Sequence, residues 1–166
     1  MPQVTPFELT LHPSMTFLNI HPFDNTLHRS EVMAVWRACF GYEAAHNEPG
    51  LVIDKKLAMH DGLFFVAVVA GDVMGTVMAG YDGHRGWLYS VAVSPGHRRL
   101  GAGRQLVVHA EHALFKRGCL KINLQLIQSN ASVAAFYTSL GYLVEPRVSM
   151  GKLMRENIPV PVLTGI

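Results

Sequence analysis

Charge and cysteine are scarce in this 166-residue chain: charged residues make up 16%, and only Cys39 and Cys119 carry thiols. So little charge beside 49% apolar residues excludes a disordered chain, and the length suits one domain with a sizeable core. A formal charge of +2 supplies no basic stripe for a duplex, so no nucleic-acid partner is expected, though an RNA-associated substrate stays open. Two isolated cysteines make no disulfide framework and suggest reduced, buried thiols in a cytoplasmic protein. Apolar runs long enough to span a membrane are missing, and residues 1–7 lack the features of a secretory signal, so no membrane partner is expected. Two phosphate loops are missing as well. No Gly-x-Gly-x-x-Gly occurs, and no Gly-Lys-Ser/Thr follows Gly101.

Punctuation by proline and glycine divides what is there. Residues 1–15 read as a loose N-terminal extension, and 16–20 as a short strand ended by His21-Pro22. Ser30 is placed to cap a helix over 31–40, with Val32, Val35, Trp36 and Cys39 on its inner face. A second helix starts at Asn47-Glu48-Pro49 and carries Leu51, Lys55, Ala58 and Met59 along one side. Residues 63–70 and 73–79 form a hairpin about Gly71-Asp72, and after the turn at 82–86 a third antiparallel strand runs over 87–93. Strict alternation puts Val91 and Val93 on one face of that strand and Ala92 on the other, marking it as central. A helix to about Arg117 follows, then a strand over 119–127, a short helix capped at Ser129-Asn130, and one or two final strands over 142–154. Residues 155–166 read as a tail. The expectation is one α/β domain over 16–154 with a mixed, mostly antiparallel central sheet flanked by helices.

Between the third strand and the next helix lies Arg98-Arg99-Leu100-Gly101-Ala102-Gly103-Arg104. A basic, glycine-containing loop that opens a helix can offer several backbone N–H groups to one phosphate or pyrophosphate. Gly101 permits a positive φ or a close approach, and Gly103 leaves room beside the chain. With Asn130-Ala131-Ser132-Val133-Ala134-Ala135-Phe136-Tyr137 downstream, this pattern resembles the GCN5-related N-acetyltransferase (GNAT) family, over roughly residues 16–154. Its Arg/Gln-x-x-Gly-x-Gly/Ala signature is matched by Arg98, Gly101 and Gly103. Residues 80–86 are similar to those of small bacterial YpeA-type members.

The resemblance implies the acyl-CoA N-acyltransferase fold and acetyl-CoA held between two splayed strands. Carried over, Val91 and Val93 offer backbone groups to the pantetheine arm, and the amide of Val91 or Ala92 serves the oxyanion. Amides from Arg98, Arg99, Leu100, Gly101, Ala102, Gly103 and Arg104 hold the pyrophosphate. Asn130 supports the cofactor arm and Phe136 packs beside it, while Tyr137 stands at the family's position for the acid that protonates the departing thiolate. The implied reaction is direct acetyl transfer to a primary amine of a small molecule or peptide. Another short acyl-CoA, or a non-catalytic acyl-CoA-binding module, are the alternatives.

The base is not evident. Some relatives carry a carboxylate where Gln125 stands, and glutamine cannot ionise. Water relayed by Gln125, Asn123 or the Tyr89 and Ser90 region is one route, and Glu43, Asp82 and His84 are outlying candidates. His109 and His112 lack a third ligand at a metal-binding spacing, so they read as surface histidines and no metal is expected. The supply of Met, Trp and Phe suits a self-association face and a homodimer.

Overall fold

The turns from the second strand to the third and from the third to the fourth are too brief for a crossover, so these strands pair as antiparallel neighbours, whereas two helices fill the connection from the first strand to the second. The computed structural model describes residues 18–41, 45–127 and 130–154. The expected extension over 1–15, the tail over 155–166, Glu43 and Ser129 lie outside them. Strands β1 (Asn19–Pro22), β2 (Phe64–Val69), β3 (Asp72–Tyr81), β4 (Gly86–Val93) and β5 (Ile122–Asn123) stand in that order across one sheet. The first four pair antiparallel and β5 joins β4 in parallel. That parallel step uses helix α3 (Ala102–Phe115) as its crossover.

Helices α1 (Asn25–Phe40) and α2 (Pro49–Ala58) cover one face of the sheet. Val32, Val35, Trp36 and Ile53 pack there with Phe64, Val66, Met78 and Ala92. The alternate strand residues face α3: Phe65 meets the His109 ring edge-on at 4.6 Å, and Leu106, Val107, Ala110 and Leu114 of α3 are fully buried. The start of α1 lies upstream of the Ser30 cap read from the sequence. Asp24 caps it instead, its carboxylate accepting from the amides of Thr26 (2.8 Å) and Leu27 (2.9 Å). In α2, Glu48 accepts from the Leu51 amide at 2.7 Å ahead of Pro49, as the sequence indicates. Its buried stripe is Ile53 and Lys56, one position round from the Lys55 face that periodicity suggests.

Strand β4 does not alternate cleanly. Thr76 faces Ala92 while Met78 faces Tyr89, so one extra β4 residue is accommodated between them. Ser90 sits at φ +50°, a left-handed conformation that costs a non-glycine residue about 1–2 kcal/mol. Thr76 holds it there. Its hydroxyl donates to the Ser90 carbonyl at 2.8 Å and accepts from Trp36 Nε1, also at 2.8 Å. Thr76 and the Trp36 ring are essentially out of solvent. The bulge puts Tyr89 and Ala92 on one face, where unbroken alternation would separate them.

Strand β5 meets β4 only at Gly86 and Trp87, opposite Ile122 and Asn123. As expected, β4 has a neighbour on each side, but among the described residues its β5 side is unpaired beyond Trp87, and the predicted strand over 119–127 shrinks to two residues. The pairing survives only upstream of the bulge, where β4 still runs true. Glycine is required at Gly86: a Cβ there would come within 2.7 Å of Cys119 Sγ and 3.0 Å of Leu114.

The chain divides into two compact units, Met1–Ile127 and Gln128–Ile166. The second contains helix α4 (Ala131–Thr138). No strand forms among its described residues 142–154, contrary to the sequence reading. Pro146 lacks an N–H, and the Arg147 amide is used locally on the Glu145 carbonyl at 2.9 Å.

Thr76→Val should destabilise the protein by about 1–3 kcal/mol, because it strands the Trp36 indole N–H and the Ser90 carbonyl together. Thr76→Ser should recover most of that loss. Urea titration followed by tryptophan fluorescence measures both, and equal midpoints for the valine variant and the parent would dismiss the contact.

Candidate functional site

Two left-handed residues shape the loop between β4 and α3. After Val93, the Ser94 amide bonds the Met74 carbonyl at 2.8 Å and its hydroxyl pairs with His97 Nδ1 at 2.8 Å, closing a 3-10 turn over Pro95–His97. Arg99 then takes φ +64° and Gly101 φ +84°. Alternation of this kind turns successive N–H groups toward one side, a concavity suited to an anion. An added Cβ at Gly101 would meet nothing nearer than Gln105 Nε2 at 4.0 Å, so φ rather than space calls for glycine. The first rung of α3 is the Gln105 amide on the Gly101 carbonyl at 3.1 Å. Amides of Ala102, Gly103 and Arg104 lie ahead of that ladder, at the positive end of the helix dipole.

Side chains in the loop divide by role. Leu100 is 73% exposed, Arg99 and Arg104 are exposed, Gly103 is half-buried and Ala102 is buried against the sheet. Arg98 folds back: Nε donates to the Val93 carbonyl at 3.1 Å, and the guanidinium lies 3.7 Å from Cys39 Sγ. The Cys39 thiol donates to the same carbonyl at 3.4 Å. Arg98 thereby ties the loop to the ends of β4 and α1. Val91 and Val93 are half-buried and Ala92 is buried, on the stretch of β4 that runs past β5. One unit therefore brings together a sheet edge freed by a bulge and a helix start able to hold an anion.

Asn130, Phe136 and Tyr137 belong to the other unit. Asn130 is the N-cap residue of α4, and its side chain accepts from Ser132 Oγ at 3.2 Å instead of capping the helix. Phe136 is half-buried, and its ring stands edge-on to Tyr137 at 5.0 Å. Tyr137 also meets Tyr142 edge-on at 5.5 Å. Burial pushes the Tyr137 phenol up to about 12, so it carries its proton throughout the neutral range.

The remaining sequence candidates resolve locally. The Asp82 carboxylate accepts from the amides of Arg85 (2.6 Å) and His84 (2.8 Å), which hold it below the usual carboxylate range and make it a turn residue. His109 is not a surface histidine: it is half-buried against Phe65, and burial lowers its pKa. Among the described residues no three metal-ligating groups cluster.

Sequence reasoning missed Lys56. It is only 6% exposed, yet its ammonium donates to Asp61 Oδ2 at 2.6 Å, to the Ala79 carbonyl and to the Tyr89 hydroxyl at 3.4 Å. Burial lowers its pKa against the opposing pull of Asp61. A lysine on a helix reads as surface, and the only available signal was the Ile53 to Lys56 spacing.

Residues 29–142 match the acetyltransferase (GNAT) family. The chain is 39% identical over 128 residues to Acetyltransferase SG1711 of Sodalis glossinidius (strain morsitans), covering 76% of this chain and 89% of that protein. In fold it is similar to the aminoglycoside N-acetyltransferase AAC(6')-Iy in complex with CoA (TM-score 0.71, 18% identity, 86% of this chain and 99% of that one). It is also similar to the ribosomal-protein-S18-alanine N-acetyltransferase from Escherichia coli (TM-score 0.62, 24% identity, 75% and 77%). With the mixed sheet, the bulged fourth strand and the glycine loop in place, the chain belongs to the GNAT acetyltransferase family and is an enzyme of that class.

Proposed function

We propose that this chain moves the acetyl group of acetyl-CoA to a primary amine of a small molecule or peptide by direct attack. The observation that carries the reading is the junction of the β4 edge with the start of α3. A bulged strand running past its partner leaves backbone groups of Val91, Ala92 and Val93 for an extended amide-bearing arm. The loop of Arg98, Arg99, Leu100, Gly101, Ala102, Gly103 and Arg104 fits a diphosphate, because its left-handed residues and helix start concentrate N–H donors. When bound, acetyl-CoA supplies the activated acyl carbon and a thiolate leaving group.

The chain's own residues then have distinct work. The Val91 or Ala92 amide is the donor for the oxyanion, and Tyr137 is the acid for the departing sulfur. A phenol raised to about 12 stays protonated at neutral pH and so has a proton to give when the thiolate departs. Asn130 and Phe136 support the cofactor arm. Residues 80–86 favour the YpeA-type branch of the family. Free Cys39 and Cys119 suit a cytoplasmic protein.

Calorimetry with CoA tests the reading at its base, and absence of heat at millimolar ligand would end it. A panel of amino acids, peptides, polyamines and aminoglycosides, scored by thiol release from acetyl-CoA, identifies the acceptor. Cofactor binding without turnover on the whole panel would instead mark a binding module.

Gly101→Val should weaken CoA binding about tenfold, since a β-branched residue resists φ +84°. Tyr137→Phe should lower kcat about 100-fold while CoA affinity stays within about twofold. Because the acid's pKa is raised, the parent should show no loss of kcat from Tyr137 ionisation as pH climbs through the ordinary tyrosine range near 10. A Tyr137-dependent alkaline limb at that pH would remove it from the role.

A further inference from the structure

An attacking amine must shed a proton, yet no Asp or Glu lies in residues 86–93, which form β4, or in 119–127, the segment that contains β5. Tyr89 is the one residue in β4 with a titratable side chain. It immediately precedes the bulge at Ser90 and lies on the α1 and α2 face, opposite Met78. Its side chain is neither sealed nor free: Tyr89 is 40% exposed, and its hydroxyl donates to the Ala79 carbonyl at 3.2 Å. Gly80 leaves the space it occupies, because a Cβ there would come within 2.9 Å of that hydroxyl.

Behind Tyr89 stands Lys56, its ammonium 3.4 Å from the phenol oxygen and 5.7 Å from the ring centroid. Asp61 comes next. One carboxylate oxygen takes the Lys56 bond at 2.6 Å, and the other accepts from the Leu63 amide at 3.0 Å. Asp61 is a quarter exposed and borders a cavity of about 260 Å³ with Phe23, Lys56, His60 and Phe64. Partly exposed groups thus flank a buried lysine within one hydrogen-bonded row.

We propose that Tyr89 takes the proton from the attacking amine and that Lys56 and Asp61 pass it to solvent. The inference rests on the acetyl-transfer reading above. As the amine nitrogen bonds to the acyl carbon and the carbon–sulfur bond breaks, one N–H proton moves to the Tyr89 oxygen. Tyr89's own proton moves to Lys56 in its neutral form, so the phenol is regenerated and Lys56 becomes an ammonium. Lys56 then releases a proton through Asp61 to water, while the thiolate takes the Tyr137 proton and solvent restores that phenol. Tyr89 is the catalytic residue in this scheme, and Lys56 and Asp61 act through it.

Electrostatics agree with the direction. Burial lowers the Lys56 pKa, and Arg117, whose guanidinium donates to the Asp61 carbonyl at 2.7 Å, lowers it further. Asp61 raises it. Burial also raises the Tyr89 phenol, which stays protonated and serves as a conduit. Among the described residues, Asp61 on the loop after α2, Tyr89 on β4 and Arg117 beyond α3 act on Lys56, and His60 just after α2 borders the same cavity.

The test combines nitrogen NMR of the free protein with pH–rate profiles, using the panel amine that releases thiol fastest. Lys56 Nζ, assigned by its disappearance in Lys56→Met, should titrate below the ordinary lysine value of 10.5. The parent's kcat should rise with pH through that same midpoint, since the neutral amine is the active form. Asp61→Asn removes the group that raises Lys56, so both midpoints should move to lower pH together. Tyr89→Phe and Lys56→Met should each lower kcat about 100-fold at neutral pH and lose that limb. The CoA affinities of both variants and the melting temperature of Tyr89→Phe should stay near the parent's, which separates this failure from loss of cofactor binding. A Lys56 that remains an ammonium up to 10.5, or a Tyr89→Phe profile equal to the parent's, would overturn the relay.

Discussion

A buried row of two hydrogen bonds, from the Trp36 indole to the Thr76 hydroxyl and on to the Ser90 carbonyl, governs how this sheet is used. It fastens α1 to β3 and β3 to the strained residue of β4. Left-handed serine is unfavourable by itself, and the bulge is held by the buried Thr76 hydroxyl that bonds both the Ser90 carbonyl and the Trp36 indole. Its consequences travel along the strand. The bulge puts Tyr89 and Ala92 on one face, and the ladder to β5 is confined to Gly86 and Trp87.

The opened edge and the helix start are complementary kinds of site. One presents alternating backbone groups to an extended chain, and the other presents converging N–H groups to an anion. A ligand using both would carry an anionic group at one end and an extended hydrogen-bonding arm at the other. Arg98 joins the two regions by bonding the Val93 carbonyl, and Cys39 at the end of α1 shares that acceptor. The geometry of the loop therefore depends on the same helix whose indole secures the bulge.

Polar groups inside the first unit are matched rather than stranded. Lys56 spends its three protons on Asp61, Ala79 and Tyr89, which explains how an ammonium survives at 6% exposure. The cost of its burial appears as a lowered pKa. Tyr137 presents the opposite case, since burial keeps its phenol protonated. Both groups are chemically tuned by desolvation, in opposite senses because one loses charge and the other gains it on deprotonation.

Local patterns settled much of this protein. The β2–β3 hairpin, the inner face of α1 through Val32, Val35 and Trp36, the Pro49 helix start and the glycine loop all follow from propensity and spacing. Those features depend on neighbours a few residues apart, so the amino-acid order determined them. Three matters required distant partners. Asp24 out-competed Ser30 as cap, Lys56 rather than Lys55 turned inward, and the alternation of β4 broke at Ser90. The last of these was set by a threonine on one strand and a tryptophan on a helix, 14 and 54 positions away from Ser90 in sequence. Periodicity reads only one element at a time, and so tertiary packing alone decided where the sheet opens.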